Sequence, residues 1–301
     1  MPKSFLPHMA VLIFAVSYSG WVKAWGAEGH EAVYQIAYLE LNSKAKRVVD
    51  SLIKEEKNDR FKSFHQGCGW PDHRGSAQSK RKKDHYINIP RDSSNVEAEE
   101  CINTAKCLFT AIRKDISILK HRELSKKKKW QALKFLGHWM GDLHQPLHIS
   151  FSDDRGGNDI LLKKGIGCRK KLHDVWDNCI PEHLMKKMNV GKDRKKFGNL
   201  LHADISNTQR KKWLSTDTLA EWANESFEIA RQSNVLYCFK KGKNCQYSNT
   251  DIIYESNSHS ENGSQRILDI PASYETDHLD TVKIQIQKAG VRLGNLLNSV
   301  L

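Results

Sequence analysis

Apolar residues recur at helical spacing along most of the chain. In AEGHEAVYQIAYLEL (27–41) they return every three or four positions, which predicts a helix with one buried face. Residues 104–120 and 130–145 repeat that period, and Pro146 ends the second of these because proline cannot continue the backbone ladder. DTLAEWANESFEIARQSNV (217–235) predicts a further helix with Asp217 as its N-terminal cap. Residues 275–298 predict a long closing helix. Strict alternation is scarce, and DILLKK (159–164) is the best hairpin candidate. Gly156-Gly157-Asn158 and NSHSENGSQ (257–265) read as loops. With no internal repeat and no proline-rich linker, the pattern predicts an all-α fold. It is a mostly helical single domain over residues 25–301, with at most a short β-hairpin.

The first 24 residues follow a different pattern. Lys3 precedes the apolar core MAVLIFAV (9–16), and Val22-Lys23-Ala24 closes the segment with a small residue. That order predicts a secretory signal peptide cut after Ala24, with a buried first helix as the alternative. Cleavage would make Trp25 the new N-terminus and would send the chain to the periplasm or the exterior. No stretch of 18 apolar residues exists elsewhere, so no membrane span is expected. The expectation is a secreted monomer without stable membrane association.

Charge adds a partner class. The 301-residue chain is 39% hydrophobic, compatible with a real core, and carries a formal net charge of +13. Residues 1–24 hold Lys3 and Lys23 and no acid, so the remainder keeps 13 − 2 = +11. Basic runs stand at KRKK (80–83), KKKK (126–129), GKDRKK (191–196) and RKK (210–212). Together they suit a polyanion such as nucleic acid or phosphate-rich lipid, although each run taken singly reads better as a solvated helix face. All seven cysteines follow residue 24. In an oxidising compartment, neighbours would pair as Cys101–Cys107, Cys168–Cys179 and Cys238–Cys245, leaving Cys68 over; spacing alone does not fix that connectivity. No CxxC pair is present, which argues against a thiolate zinc site.

The candidate chemistry centres on HWMGDLHQPLH (138–148). His138 and Asp142 are four apart, so both project from one helix face, and His148 follows the Gln145-Pro146 break. LHDVWD (172–177) repeats the spacing with His173 and Asp177. Imidazole nitrogens and carboxylate oxygens suit zinc. On spacing alone, a metal site and a pair of surface contacts stand level. WPDH (70–73), DHYIN (84–88) and WGAEGH (25–30) add Asp72, His85 and His30. A freed Trp25 would add an α-amine with a reference pKa of about 7.7–8.0, able to chelate together with its own carbonyl oxygen.

With WGAEGH, WPD, DHYIN, HWMGD…QPLH, RGGND and LHDVWD in order, the chain resembles the type I nucleases. These are the S-one/P-one family of fungal single-strand nucleases, plant bifunctional nucleases and 3′-nucleotidases, with zinc-dependent phospholipase C a distant relative. WANES (222–226) and AGVRLGNLLN (289–298) extend the likeness to the closing helix. The resemblance implies three zinc ions in a mostly helical domain. Asp72, His85, His138 and Asp142 would hold the first; His148, His173 and Asp177 the second; Trp25 and His30 the third, with Asp142 bridging. Three Zn²⁺ against the carboxylates of Asp72, Asp142 and Asp177 leave about +3, which suits a phosphate ester. The implied activity is endonucleolytic hydrolysis of single-stranded DNA and RNA to 5′-nucleotides, with 3′-nucleotidase action on 3′-nucleotides, by in-line attack of a zinc-bound hydroxide. Asp72 and Asp142 would be the catalytic carboxylates.

Tyr86 matches the position where the family stacks a base, Asn88 the position that meets the base edge, and Arg74 a phosphate clamp. Family members often carry Asp where Asn88 stands, and place the arginine three residues after the metal-binding aspartate rather than two. His144 matches no ligand position and reads, with His65, His73 and His202, as a supporting or surface histidine. Asn224 and Asn262 begin N-x-S sequons. A phospholipase C, or a basic nucleic-acid-binding protein with structural zinc, are the alternative functions.

Overall fold

The computed structural model describes residues 25–301 except 74, 76, 77, 79, 98–106, 167, 247–251 and 256–263. The predicted signal peptide, Arg74, Cys101 and Asn262 lie outside the described residues.

The helical periods become helices close to where they were expected. α1 is Ala27–Leu39, α2 Ser43–Ile53, α3 the short Phe64–Gly67, α4 Leu108–Lys120 and α5 Lys126–Leu143. α6 is composite: Leu172–Asp174, a π-helical turn Val175–Cys179, then Ile180–Lys187. α7 is Arg194–Ala203, α8 Asn207–Trp213, α9 Leu219–Ala230, α10 Tyr274–Asp277 and α11 Leu279–Val300. α9 is capped by Thr218, not by Asp217. The Thr218 hydroxyl accepts from the Glu221 amide, and the Glu221 carboxylate reaches back, closing a reciprocal capping box. Thr218 stands three residues before a glutamate and Asp217 does not, so only Thr218 can form that box.

The predicted hairpin exists and belongs to something larger. β1 (Ile87–Ile89) pairs in parallel with β2 (Ile149–Phe151). β3 (Ile160–Ile166) and β4 (Arg169–Lys171) form the expected hairpin, and β7 (Ile252–Glu255) and β8 (Ser264–Leu268) complete a four-stranded sheet ordered β4-β3-β8-β7. β5 (Phe239–Lys241) and β6 (Asn244–Gln246) make a separate ribbon. The fold is therefore mostly helical with small sheets, and the strand content exceeds one hairpin.

α5 is the axis of the site. From Ala132 to Leu143 every residue is buried, so this helix lacks a solvent face over its second half. It carries Lys134, His138 and Asp142 into the interior, and each buried polar group then needs a partner. Lys134 has one in Glu56, at 2.5 Å, and lies over the Trp70 ring. α1 and α11 pack beside α5, and one cluster of buried apolar side chains runs from Trp25 to Leu297.

Cys168–Cys179 ties the β4 turn to α6, and Cys238–Cys245 closes the β5–β6 ribbon, both as expected. Cys107 is disulfide-bonded and Cys68 is free and buried. Asn224 sits within α9 with its amide bonded to both the N–H and the C=O of Val96, so its side chain serves the fold.

Candidate metal centre

Four separate stretches bring histidine and aspartate to one end of α5. His30 comes from α1, Asp72 from the turn after α3, His85 from the 3₁₀ turn Lys82–His85, and His138 and Asp142 from α5 itself. His148 ends the turn Pro146–His148, and His173 and Asp177 lie on α6. The parallel β1–β2 pair aligns two of these turns, because His85 and His148 each stand just before a paired strand. Their proximity follows: His148 Nδ1 donates to the His85 carbonyl at 2.7 Å. Asp177 lies in the π-helical turn, a local widening that recurs at functional sites.

The side chains form three groups that could each hold a metal ion: His30, His138 and Asp142; Asp72, His85 and His138; His148, His173 and Asp177. Asp142 joins the first two. Its Oδ1 lies 3.3 Å from His30 Nε2 and 3.6 Å from His138 Nε2, and its Oδ2 lies 3.1 Å from His85 Nδ1. Asp72 approaches His138 Nε2 at 3.5 Å. In the third group, Asp177 lies 3.2 Å from His173 Nε2 and 3.9 Å from His148 Nε2. Short contacts are not bonds here. Both Asp142 oxygens, both His30 nitrogens and Asp177 Oδ2 are buried without a hydrogen-bond partner.

Backbone carbonyls set the tautomers. His138 Nδ1 donates to the Cys68 carbonyl at 2.9 Å, and His173 Nδ1 to that of Gly156 at 2.6 Å. A carbonyl oxygen can only accept, so each Nδ1 carries a proton and, whenever the ring is neutral, each Nε2 offers its lone pair inward. His148 and His173 therefore face each other through two acceptor nitrogens 3.1 Å apart. Two lone pairs at that distance repel unless a proton or a metal ion lies between them. Two nitrogens bound to one tetrahedral zinc at ~2.0–2.1 Å would be about 3.3 Å apart, close to what is seen. The residues fit the ion.

Protonation tells the same story. Burial alone would depress the His138 imidazole, yet the carboxylates of Asp142 and Asp72 carry it to about 9. Burial also opposes charge on His173, and Asp177 overrides it, again to about 9. His30, desolvated and facing His138, is pushed down to about 4, and burial lowers His148. Burial would raise the Asp142 carboxyl, but the surrounding imidazoles hold it far below the usual range. The cradle retains positive charge wherever it can, and a metal would take the place of those protons.

Two glycines make the close approach possible. A Cβ on Gly141 would lie 2.6 Å from His30 Nδ1 and 3.7 Å from the Trp25 ring, so any side chain there would drive α1 off α5. Gly156 has φ +66°, and a Cβ would meet the Leu147 carbonyl at 2.4 Å; only glycine presents its own carbonyl to His173 from that turn.

The S1/P1 Nuclease family model matches residues 25–301. The chain belongs to the S1/P1 nuclease family. It is 31% identical to endonuclease 2 of Arabidopsis thaliana over 170 residues, 54% of this chain and 57% of that one. It is 29% identical to endonuclease 1 of the same plant over 232 residues, 69% of this chain and 73% of the relative. Nuclease P1 of Penicillium citrinum is 25% identical over 285 residues, 92% of this chain and 97% of that one. The match to the first of these thus spans a little over half of the relative's length.

The eight imidazole and carboxylate side chains expected from the S1/P1 resemblance all lie in the three groups. Trp25 is fully buried beside Gly29 and Gly141, one helix turn from His30. Tyr86 and Asn88 are half-buried while Ile87 and Ile89 are buried, so the two share the outward face of the β1 strand. His144 is no surface residue; it is fully buried and bonded to the Met140 carbonyl and to Arg292. Arg81, counted in a basic run, is instead folded inward. It pairs with Asp84 at 2.7 Å and Asp115 at 2.8 Å and lies over the Phe135 ring.

Sequence reasoning missed Gln145. Its amide donates to Asp177 Oδ1 at 2.5 Å and its oxygen accepts from the Leu147 amide at 2.5 Å, so one side chain shapes the turn and orients a carboxylate. Its place before Pro146 and between the two histidine groups was the available signal. The carbonyls of Cys68, His85 and Gly156 were also missed, and no sequence signal marks a backbone carbonyl.

Proposed function

We propose that this S1/P1 family member is a secreted zinc-dependent phosphodiesterase that cleaves single-stranded DNA and RNA to 5′-nucleotides and acts on 3′-nucleotides. Residues 25–301 would form its single catalytic domain, acting as a monomer. The observation that carries the reading is the inward-facing Nε2 pair of His148 and His173, with the orphaned Asp177 Oδ2 beside it and both orphaned Asp142 oxygens among the imidazoles of the neighbouring groups. Three zinc ions would be held by Asp72, His85, His138 and Asp142; by His148, His173 and Asp177; and by His30 with the amine and carbonyl of Trp25. Removal of residues 1–24 would free that amine, and the burial of Trp25 beside His30 and Gly141 supports the chelate. Bound there, zinc supplies Lewis acidity toward phosphate oxygens and lowers the pKa of water toward ~7.

The chain's own groups do the rest. Carbonyl-anchored imidazoles keep their Nε2 atoms aimed inward, so little reorganisation is needed when charge develops on phosphorus. Tyr86 would stack the base beside the scissile bond, a contact that any base can make. A duplex base cannot enter such a slot without unpairing, at a cost of a few kcal/mol, which favours single strands. Asn88, offering a donor and an acceptor, would meet the base edge.

Metal analysis of the processed protein, with assays on single-stranded DNA, RNA, 3′-AMP and phosphatidylcholine, tests this. The expected result is three zincs per chain and cleavage of the first three substrates. Cleavage of the lipid alone would overturn it in favour of a phospholipase C.

A further inference from the structure

A second candidate surface lies on the β5–β6 ribbon, CFKKGKNC (238–245), which none of the site residues includes. The Cys238–Cys245 disulfide closes it, with Cα atoms 4.9 Å apart. Phe239 at its base is 37% exposed, and Lys240, Lys241 and Lys243 are all exposed. An open cavity of about 540 Å³ lies against the ribbon, lined by Phe239 and Lys240 together with Arg231, Gln232, Ser233 and Asn234. That size falls within the roughly 300–1,000 Å³ of small-molecule sites.

Arg231 lines the cavity with its guanidinium already engaged in the fold. Arg231 is 95% buried, given its 5% exposure, and its Nε has no hydrogen-bond partner among the described residues. Its other nitrogens hold the Ser94 and Lys243 carbonyls and Glu228. Glu228 is also the carboxylate that Lys240 approaches, at 3.5 Å. Among the described residues, no other carboxylate is in ion-pair contact with these four cations, so the ribbon keeps a positive excess.

The ribbon is joined to the strand that bears Tyr86 and Asn88. The Cys245 amide donates to the Arg91 carbonyl at 2.9 Å, and Arg91 donates to the Tyr237 carbonyl at 3.2 Å. Arg91 stands only three residues beyond Asn88. An exposed aromatic ring and exposed cations are what a single strand requires: a platform for a base and charge for its phosphates.

We propose that the β5–β6 ribbon is an auxiliary subsite for single-stranded polynucleotide, stacking a base on Phe239 and pairing backbone phosphates with Lys240 and its neighbours. It would engage nucleotides outside the scissile step, beyond the one held near Tyr86 and Asn88. The inference rests on the nuclease reading above.

The test compares the zinc-loaded wild type with Phe239→Ala, Phe239→Trp and Lys240→Gln on two substrates, a thymidine dinucleotide and a ten-residue oligothymidylate. For Phe239→Ala, KM for the longer strand should rise roughly tenfold, a modest share of what one stacked base contributes. Its kcat, and both constants for the dinucleotide, should stay unchanged. Phe239→Trp should restore the low KM, and Lys240→Gln should raise it by a smaller factor that shrinks with added salt. Equal losses on both substrates, or an unchanged KM on the longer strand, would overturn the subsite while leaving the nuclease assignment intact. A wild type that cleaves neither substrate would remove both.

Discussion

His138 and His144 lie six residues apart, and both side chains are fully buried. Their surroundings differ in one respect. Around His144 the donors and acceptors match: Nδ1 donates to the Met140 carbonyl at 2.8 Å, and Nε2 accepts from Arg292 at 3.0 Å. Arg292, itself buried, also serves Glu225 through two bonds, the Trp213 carbonyl and Thr216. Ser226 and Gln285 take the Leu143 and His144 carbonyls at the end of α5, with Gln285 Oε1 left over as the orphan. Around His138, three imidazoles crowd Asp142, yet neither of its oxygens has a hydrogen-bond partner among the described residues. A buried polar cluster that satisfies itself holds the fold, whereas one that cannot is built for something brought from outside.

Substitutions should separate the two clusters. The largest effect is expected at Asp142, which joins two groups. Asp142→Asn should remove zinc from both, measured as metal per chain, and activity should fall by more than the 10–100-fold typical of changes around a ligand. Retention of full metal content would break the contrast. Next is Arg292→Met, which leaves Glu225, among the described residues, with Lys288 alone at 2.9 Å, and frees the acceptor of His144. Stability should fall by about 3 kcal/mol in urea unfolding, near the low end for a broken buried pair because Glu225 is partly exposed. Metal per folded chain should not change.

The smallest effect is on pH dependence in metal-stripped protein. Burial and Arg292 push His144 down to about 3, so it stays neutral in the fold while the unfolded chain takes up a proton near 6.5. Its contribution is fully present above that value and declines as pH falls, by up to ~1.4 kcal/mol per unit. His138, raised to about 9, behaves oppositely: its contribution is complete below 6.5 and is lost as pH rises through 9. His144→Gln should therefore flatten only the acid limb of a stability–pH curve, leaving the part due to His30, which is also lowered. Flattening of the alkaline limb instead would reverse the two roles.

Much of this was legible in the chain. The period of 27–41 became α1, and the i,i+4 pairs His138/Asp142 and His173/Asp177 do share a face. Asp72 and His85 stood as further candidates, but their grouping with His138 and Asp142 came only through the family likeness, because no local spacing links them to α5. The strands Ile252–Glu255 and Ser264–Leu268 were invisible, since they carry little alternation and the second joins the sheet by pairing with β3, far away in the chain. Arg81 was misplaced, and His144 left between a supporting and a surface role, for a related reason: a histidine or arginine looks alike in sequence whether water, a carboxylate or another buried residue receives it. The difference lies in partners such as Arg292 and Asp115, far along the chain.

Order of synthesis gives the Arg292 bridge a further consequence. Every imidazole and carboxylate of the three groups has left the ribosome by Asp177, but Leu279–Val300 has yet to be made. Until that helix docks, the carbonyl and the ring of His144 lack Gln285 and Arg292, and the end of α5 that leads into the turn to His148 is less firmly held. Tight ion capture should accordingly follow translation rather than accompany it.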